Sequence, residues 1–242
     1  MLSVLLALAF AAPPAQEAQT TVYRTLLLRA APGHLQDVLD ALEQRLPVYD
    51  QAGVESPFVM RHSQGDHWDL MLIFPVRSAE DWFGERAQRW RGAAPEVESD
   101  AEFERRIEPW LAWREDTFVE GPALGELRRR DGGAGFYHIE MFVALPGKRA
   151  ELLHQRRIEN DYLEAIGRDA NFIFTRVAGG PWDVYTLGLY RDLQHYAEPN
   201  TLSAEALEAA AVTAGFASRG AIGTYLRELI ASHHDTLATR VH

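Results

Sequence analysis

Internal repetition is the strongest constraint on what this chain can fold into. Tyr23, Pro32, Gly33, Phe58, Gly65, Trp68, Asp69 and Arg77 recur as Tyr137, Pro146, Gly147, Phe172, Gly179, Trp182, Asp183 and Arg191, every pair separated by the same 114 positions. One offset held without a gap from Tyr23 to Arg77 means two copies of a single supersecondary unit in tandem. Copies of roughly 110 residues can each bury a core, yet an open sheet in one leaves a face that the other must cover.

In the first copy, Tyr23 to Arg29 reads as a strand ended by Ala31-Pro32-Gly33. Leu35, Val38, Leu39, Leu42 and Leu46 then fall at helical spacing. Phe58 to Met60 and Trp68 to Phe74 flank Ser63-Gln64-Gly65-Asp66 as a hairpin, and Ser78 is set to cap a helix carrying Asp81, Trp82 and Phe83. A further helical stretch, Phe103 to Trp113, bends at Pro109 with Trp90, Trp110 and Trp113 in its buried stripe, before a last strand over Asp116 to Val119. The second copy repeats the order, with a strand at Tyr137 to Val143, a helix from Lys148, a turn at Gly179-Gly180, a helix from Asp192 and a closing Asp235-Thr236-Leu237. The order β-α-β-β-α-β is ferredoxin-like. The organisation is therefore a signal peptide over residues 1–20, repeat 1 over 21–120, a Gly- and Arg-rich linker over 121–135, and repeat 2 over 136–242.

Strand, Pro-Gly turn, helix and a hairpin carrying Gly-x-x-Trp-Asp, twice in tandem, resemble the dimeric α/β-barrel superfamily, and within it the NIPSNAP-like and EthD-like domains. The resemblance implies an α+β fold in which the tandem ferredoxin-like repeats form one pseudo-dimeric α/β barrel around a small, mainly apolar cavity. It also implies a range of activities, among them cofactor-independent monooxygenases, haem-degrading enzymes, haem peroxidases and non-catalytic proteins, so the fold alone selects no function.

Composition excludes several classes. A net charge of −11 argues against a nucleic-acid partner, which needs Lys and Arg to displace counterions. The absence of cysteine removes disulfides, thiol catalysis and thiolate metal sites. Leu2 to Phe10 is an apolar run too short for the ~20 residues of a membrane span. It reads as a secretory leader without a preceding Lys or Arg, giving a periplasmic or secreted chain with no membrane span once mature. Such a chain is either a monomer with an internal pseudo-dimer or a homodimer.

Candidate chemistry comes from comparing the copies: a polar residue present in only one copy is not demanded by the fold. Alternation puts Tyr137, Ile139, Met141 and Val143 under the helices, and His138, Glu140 and Phe142 in the lumen, where copy one has Arg24, Leu26 and Leu28. His138 and Glu140 are thus the candidate catalytic pair, a base and its orienter, with Arg24 or Tyr185 holding an oxyanion. The alternative is a His and Glu that satisfy each other or Arg24. Trp68 and Trp182 either begin packed strands or stack on a ligand, and Arg61 can meet a ligand carboxylate. His233 and His234 replace Arg114 and Glu115, and only one of two neighbouring histidines can face a cavity.

His62 and His67 flank the first hairpin turn as solvated or mouth-gating residues. The spacing demands no metal site, although His138, Glu140 and His233 or His234 would make one if they converged. The cofactor is unknown, with haem on His138 left open, and the partner expected is a small-molecule ligand. An open lumen beside His138 and Glu140 favours an enzyme of the monooxygenase or isomerase kind. If large side chains such as Phe142, Phe174 and Trp182 plug the lumen, that enzyme reading fails and a binding or structural protein remains.

Overall fold

The computed structural model describes residues 20–76, 80, 82, 84, 86–93 and 97–241. The expected signal peptide, apart from Thr20, lies outside the described residues, as do Arg77, the expected Ser78 cap, Asp81 and Phe83. Repeat 1 runs β1 (Thr21–Ala30), α1 (Leu35–Gln51), β2 (Phe58–Gln64), β3 (Leu70–Pro75), α2 (Arg86–Gly92), α3 (Asp100–Ile107) and β4 (Leu111–Gly121). After α4 (Leu124–Asp131), repeat 2 runs β5 (Phe136–Ala144), α5 (Arg149–Ala165), β6 (Phe172–Gly179), β7 (Val184–Tyr190), α6 (Leu193–Ala197), α7 (Ala204–Ala214), α8 (Ala221–Arg227) and β8 (Ile230–Arg240).

The eight strands close into one antiparallel barrel in the order β1-β3-β2-β8-β5-β7-β6-β4. Each repeat sends its last strand to the other: β4 pairs with β1 and β6, and β8 with β5 and β2. Closure within one chain leaves no open sheet edge among the described residues. The lumen is packed with Tyr23, Leu27, Met71 and Ile73 of repeat 1 and Tyr137, Ile139, Met141, Phe174, Tyr185 and Leu187 of repeat 2. Outside it, α1 lays Val38, Leu39 and Leu42 on Leu26, Leu28 and Leu72, while α5 lays Leu152 on Phe142 and Val184.

The shared Gly and Asp positions explain how the repeats lock. A Cβ on Gly65 would sit 2.0 Å from the Asp235 carbonyl oxygen, and one on Gly179 would sit 2.5 Å from that of Asp116. Each hairpin therefore presses its glycine, in the left-handed region at φ +125° and +76°, on the closing strand of the other repeat. The carboxylates of Asp69 and Asp183 accept hydrogen bonds from the backbone N–H of Ala30 (2.8 Å) and Ala144 (2.9 Å), tying each hairpin to its own first strand.

Two elements differ from the sequence reading. Pro109, which has no N–H to continue an α-helix, ends α3 at Ile107. A 3-10 turn over Glu108–Trp110 follows, and Leu111 opens β4, so Trp113 belongs to a strand facing the lumen rather than to a helical stripe. The linker carries α4, whose Leu127 is buried in the lumen cluster. Its arginines occupy the last helical turn, where positive charge complements the dipole.

Candidate functional site at one mouth of the barrel

The expected facing of β5 is reversed. Tyr137, Ile139 and Met141 enter the lumen, and His138, Glu140 and Phe142 lie outside it beneath helices. Glu140 accepts hydrogen bonds from Thr186 Oγ1 (2.9 Å) and Arg156 Nη1 of α5 (3.3 Å), and His138 Nε2 lies 3.5 Å from Asp235 Oδ1. Alternation defines two faces without saying which is inner. The buried Arg156 of α5 decides it, because it supplies a partner for Glu140 that the aromatic lumen lacks. Burial pushes the neighbouring Glu159 carboxyl up.

Arg24 moves with that reversal. It lies outside the lumen, buried against the Trp82 ring (4.9 Å) and paired with Asp116 (2.5 Å) and Glu104 (2.6 Å). Arg61 is exposed, next to the lumen residue Met60. His138 lies partly exposed outside the lumen, with its ring 5.4 Å from that of Tyr196 in α6.

Tyr185 does face the lumen, but as filling. It stacks on Phe174 at 4.4 Å, meets Trp182 edge-on at 5.1 Å, and its hydroxyl lies 3.0 Å from Thr25 Oγ1. Burial drives the phenol well above its ordinary pKa. Phe174 and Tyr185 thus fill the lumen with Trp182 against them, and Phe142 is outside it, so the enzyme reading that rested on an open lumen beside His138 and Glu140 fails.

An open cavity of about 190 Å³ remains at the mouth formed by the C-terminal ends of β1 and β5, the two hairpin turns and the starts of β4 and β8. Leu27, Trp113, Met141, Val143 and Trp182 form its apolar wall, and Asp66, His67, Glu115 and His234 its polar edge. His234 faces this mouth while His233 turns outward onto the Phe142 ring (5.9 Å), as alternation along a strand requires. The Asp66 carboxylate, 5% exposed, receives His67 Nδ1 at 2.6 Å and His234 Nδ1 at 2.9 Å, both on Oδ1. Burial alone would raise its pKa; the hydrogen bonds from His234 and His67 outweigh that and hold it below the usual carboxylate range. Glu115 accepts a 2.5 Å hydrogen bond from the Trp182 indole, yet burial still pushes its carboxyl up.

At the equivalent place in the other repeat, Trp68 lines the lumen with no hydrogen-bond partner for its indole among the described residues. His62 packs on it at 5.6 Å, and burial lowers the imidazole pKa. Asp66, Trp113 and Glu115 escaped the sequence reading as site residues. The signal that could have found Asp66 was present, because Asp66-His67 stands where repeat 2 has Gly180-Pro181.

No family model and no curated protein matches this sequence. Solved structures do match in fold. An anthrone oxidase-like protein is 14% identical, with 93% of each chain covered and a TM-score of 0.59. A putative monooxygenase from Lactobacillus acidophilus NCFM is 9% identical over 93% of this chain and 95% of its own, TM-score 0.54. A mutant chlorite dismutase from Candidatus Nitrospira defluvii is 10% identical over 92% and 93%, TM-score 0.50. The chain therefore has the dimeric α/β-barrel fold, with both halves of the barrel supplied by one polypeptide. At these identities the likeness is one of fold alone.

Proposed function

We propose that this chain is an oxygenase-type α/β-barrel enzyme that takes a small, mainly apolar ring compound in the mouth cavity and works on it at the polar edge. The observation that carries this reading is the meeting of an aromatic-walled cavity with Asp66, His67, Glu115 and His234, a polar set the repeat does not duplicate. Trp113 and Trp182 offer ring faces and edges for stacking. A cavity of about 190 Å³ is smaller than the ~300–1,000 Å³ pockets of drug-sized ligands, which limits the substrate to one or two rings. Glu115, raised by burial and held by Trp182, is placed to exchange a proton with a substrate O–H or acidic C–H. The monooxygenase-like names of structures sharing the fold are consistent with this class of chemistry.

A second reading, ligand binding without turnover, is favoured by the filled barrel centre. Fluorescence titration of Trp113 and Trp182 with naphthols and hydroxyquinones, beside oxygen uptake, separates the two. Turnover should fall about 100-fold in Glu115→Gln and be unchanged in His138→Ala; the opposite pattern would return the chemistry to the outer pair. Saturable quenching without oxygen uptake or product would leave a binding protein.

The motifs of each repeat support a nearer kinship with NIPSNAP-like or EthD-like domains as part of this proposal. The run Leu2 to Phe10 supports export to a periplasm or beyond, which N-terminal sequencing of the protein from a periplasmic extract tests. No helix among the described residues is long and apolar enough to cross a membrane.

A further inference from the structure

We propose that Asp66, His67 and His234 bind a divalent transition-metal ion at the edge of the mouth cavity. The proposal deepens the reading above, since the ion would sit beside the same substrate.

The donor set comes first. Two imidazoles and one carboxylate suit zinc, iron, cobalt or nickel, and three protein ligands leave coordination positions free for water or substrate. The ligand atoms of all three residues lie within 4.8 Å of one another. Metal–donor bonds of about 2.0–2.1 Å place neighbouring donors about 3.0–3.4 Å apart. The His67 and His234 nitrogens stand 2.6 and 2.9 Å from Asp66 Oδ1, so each of these two spacings has to open by less than ~1 Å.

The surroundings agree with that chemistry. The carboxylate is sheltered while the two rings are about half exposed, which leaves the open side of the cluster toward cavity and solvent. The Asp66 backbone N–H reaches Thr236 Oγ1 at 3.4 Å, setting the hairpin against β8.

Repetition supplies an independent argument. Gly180, Pro181 and Glu115 stand at the corresponding places in the other half, so neither the turn nor the barrel needs these three donors. The set also spans the seam, with Asp66 and His67 from the hairpin of repeat 1 and His234 from the closing strand of repeat 2. It exists only once the barrel has closed.

The test is Co²⁺ titration of the untagged, chelator-treated protein, followed by visible absorption and calorimetry. One ion per chain is expected, with a d–d band, and His234→Ala or His67→Ala should weaken binding about 100-fold or more. His233→Ala, one residue away and facing outward, should bind like the parent. Absence of saturable binding, or binding that His234→Ala leaves unchanged, would overturn the proposal. Ring-compound quenching in the metal-free protein is read separately. Quenching without Co²⁺ binding removes the metal alone, whereas Co²⁺ binding without quenching removes the ligand reading alone.

Discussion

Arg24 and Asp116 show how a single residue's role turns on which face of a strand it occupies. On the outer face Arg24 becomes the centre of a buried network with Asp116, Glu104 and the Trp82 ring, instead of an oxyanion clamp. Burial alone would raise the Asp116 carboxyl, but the hydrogen bonds and charges of Arg24 and Arg114 hold it below its ordinary value. A depressed carboxylate contributes stability that is present above the unfolded-state value and lost as pH falls through the folded-state one. Asp116→Asn should therefore lower the urea midpoint at neutral pH and show a smaller further loss on acidification than the parent. Equal acid sensitivity in the two proteins would refute this. His138 and Glu140 teach the same lesson from the sequence side. Their asymmetry between copies was legible, whereas the partner that decided their side, Arg156, lies on another element.

At the scale of elements, the hairpins and closing strands carry both the architecture and the site. Gly65→Ala and Gly179→Ala each force a Cβ onto a backbone carbonyl of the other repeat, at a left-handed φ, and should each cost about 2 kcal/mol or more. Gly33→Ala, also at positive φ but with nothing within 4 Å of its Cβ, should cost only the backbone share of about 1 kcal/mol. Thermal and urea unfolding read the difference, and equal losses at all three positions would contradict the cross-repeat lock. Strand and helix order was plain from periodicity and turn residues. The exceptions were the start of β4, read as helix because Trp110 and Trp113 fit a buried stripe, and α4, hidden in a segment of low apolar content. The first error concealed Trp113 and Glu115 as cavity residues.

The whole molecule is one barrel that neither repeat can build alone. Separating the copies would expose Tyr23, Leu27, Met71, Ile73 and Val119 of repeat 1 to water and break the β2–β8 and β4–β6 pairings. Expressed singly, residues 21–120 and 136–242 should self-associate or precipitate, and together they should recover a one-to-one complex; light scattering after gel filtration distinguishes these states. A soluble, monomeric single repeat would show the halves to be independent domains. A cut within α4 should also lower stability, because Leu127 packs in the lumen cluster and Asp131 accepts from the Tyr137 hydroxyl at 2.8 Å.

The barrel class came through a family resemblance; the sequence by itself determined the tandem unit, its ferredoxin-like order and the residues that break the symmetry between copies. These follow from local spacing, turn chemistry and self-comparison, all carried by neighbours along the chain. Only the tertiary structure decided which strand face became the lumen, that aromatic side chains fill its centre, and that Asp66 and His67 meet His234 across the seam. The physical reason is that alternation has two equivalent solutions until the opposing helices and strands are in place. A site assembled from residues 66 and 234 is likewise a contact between elements, which sequence spacing does not encode.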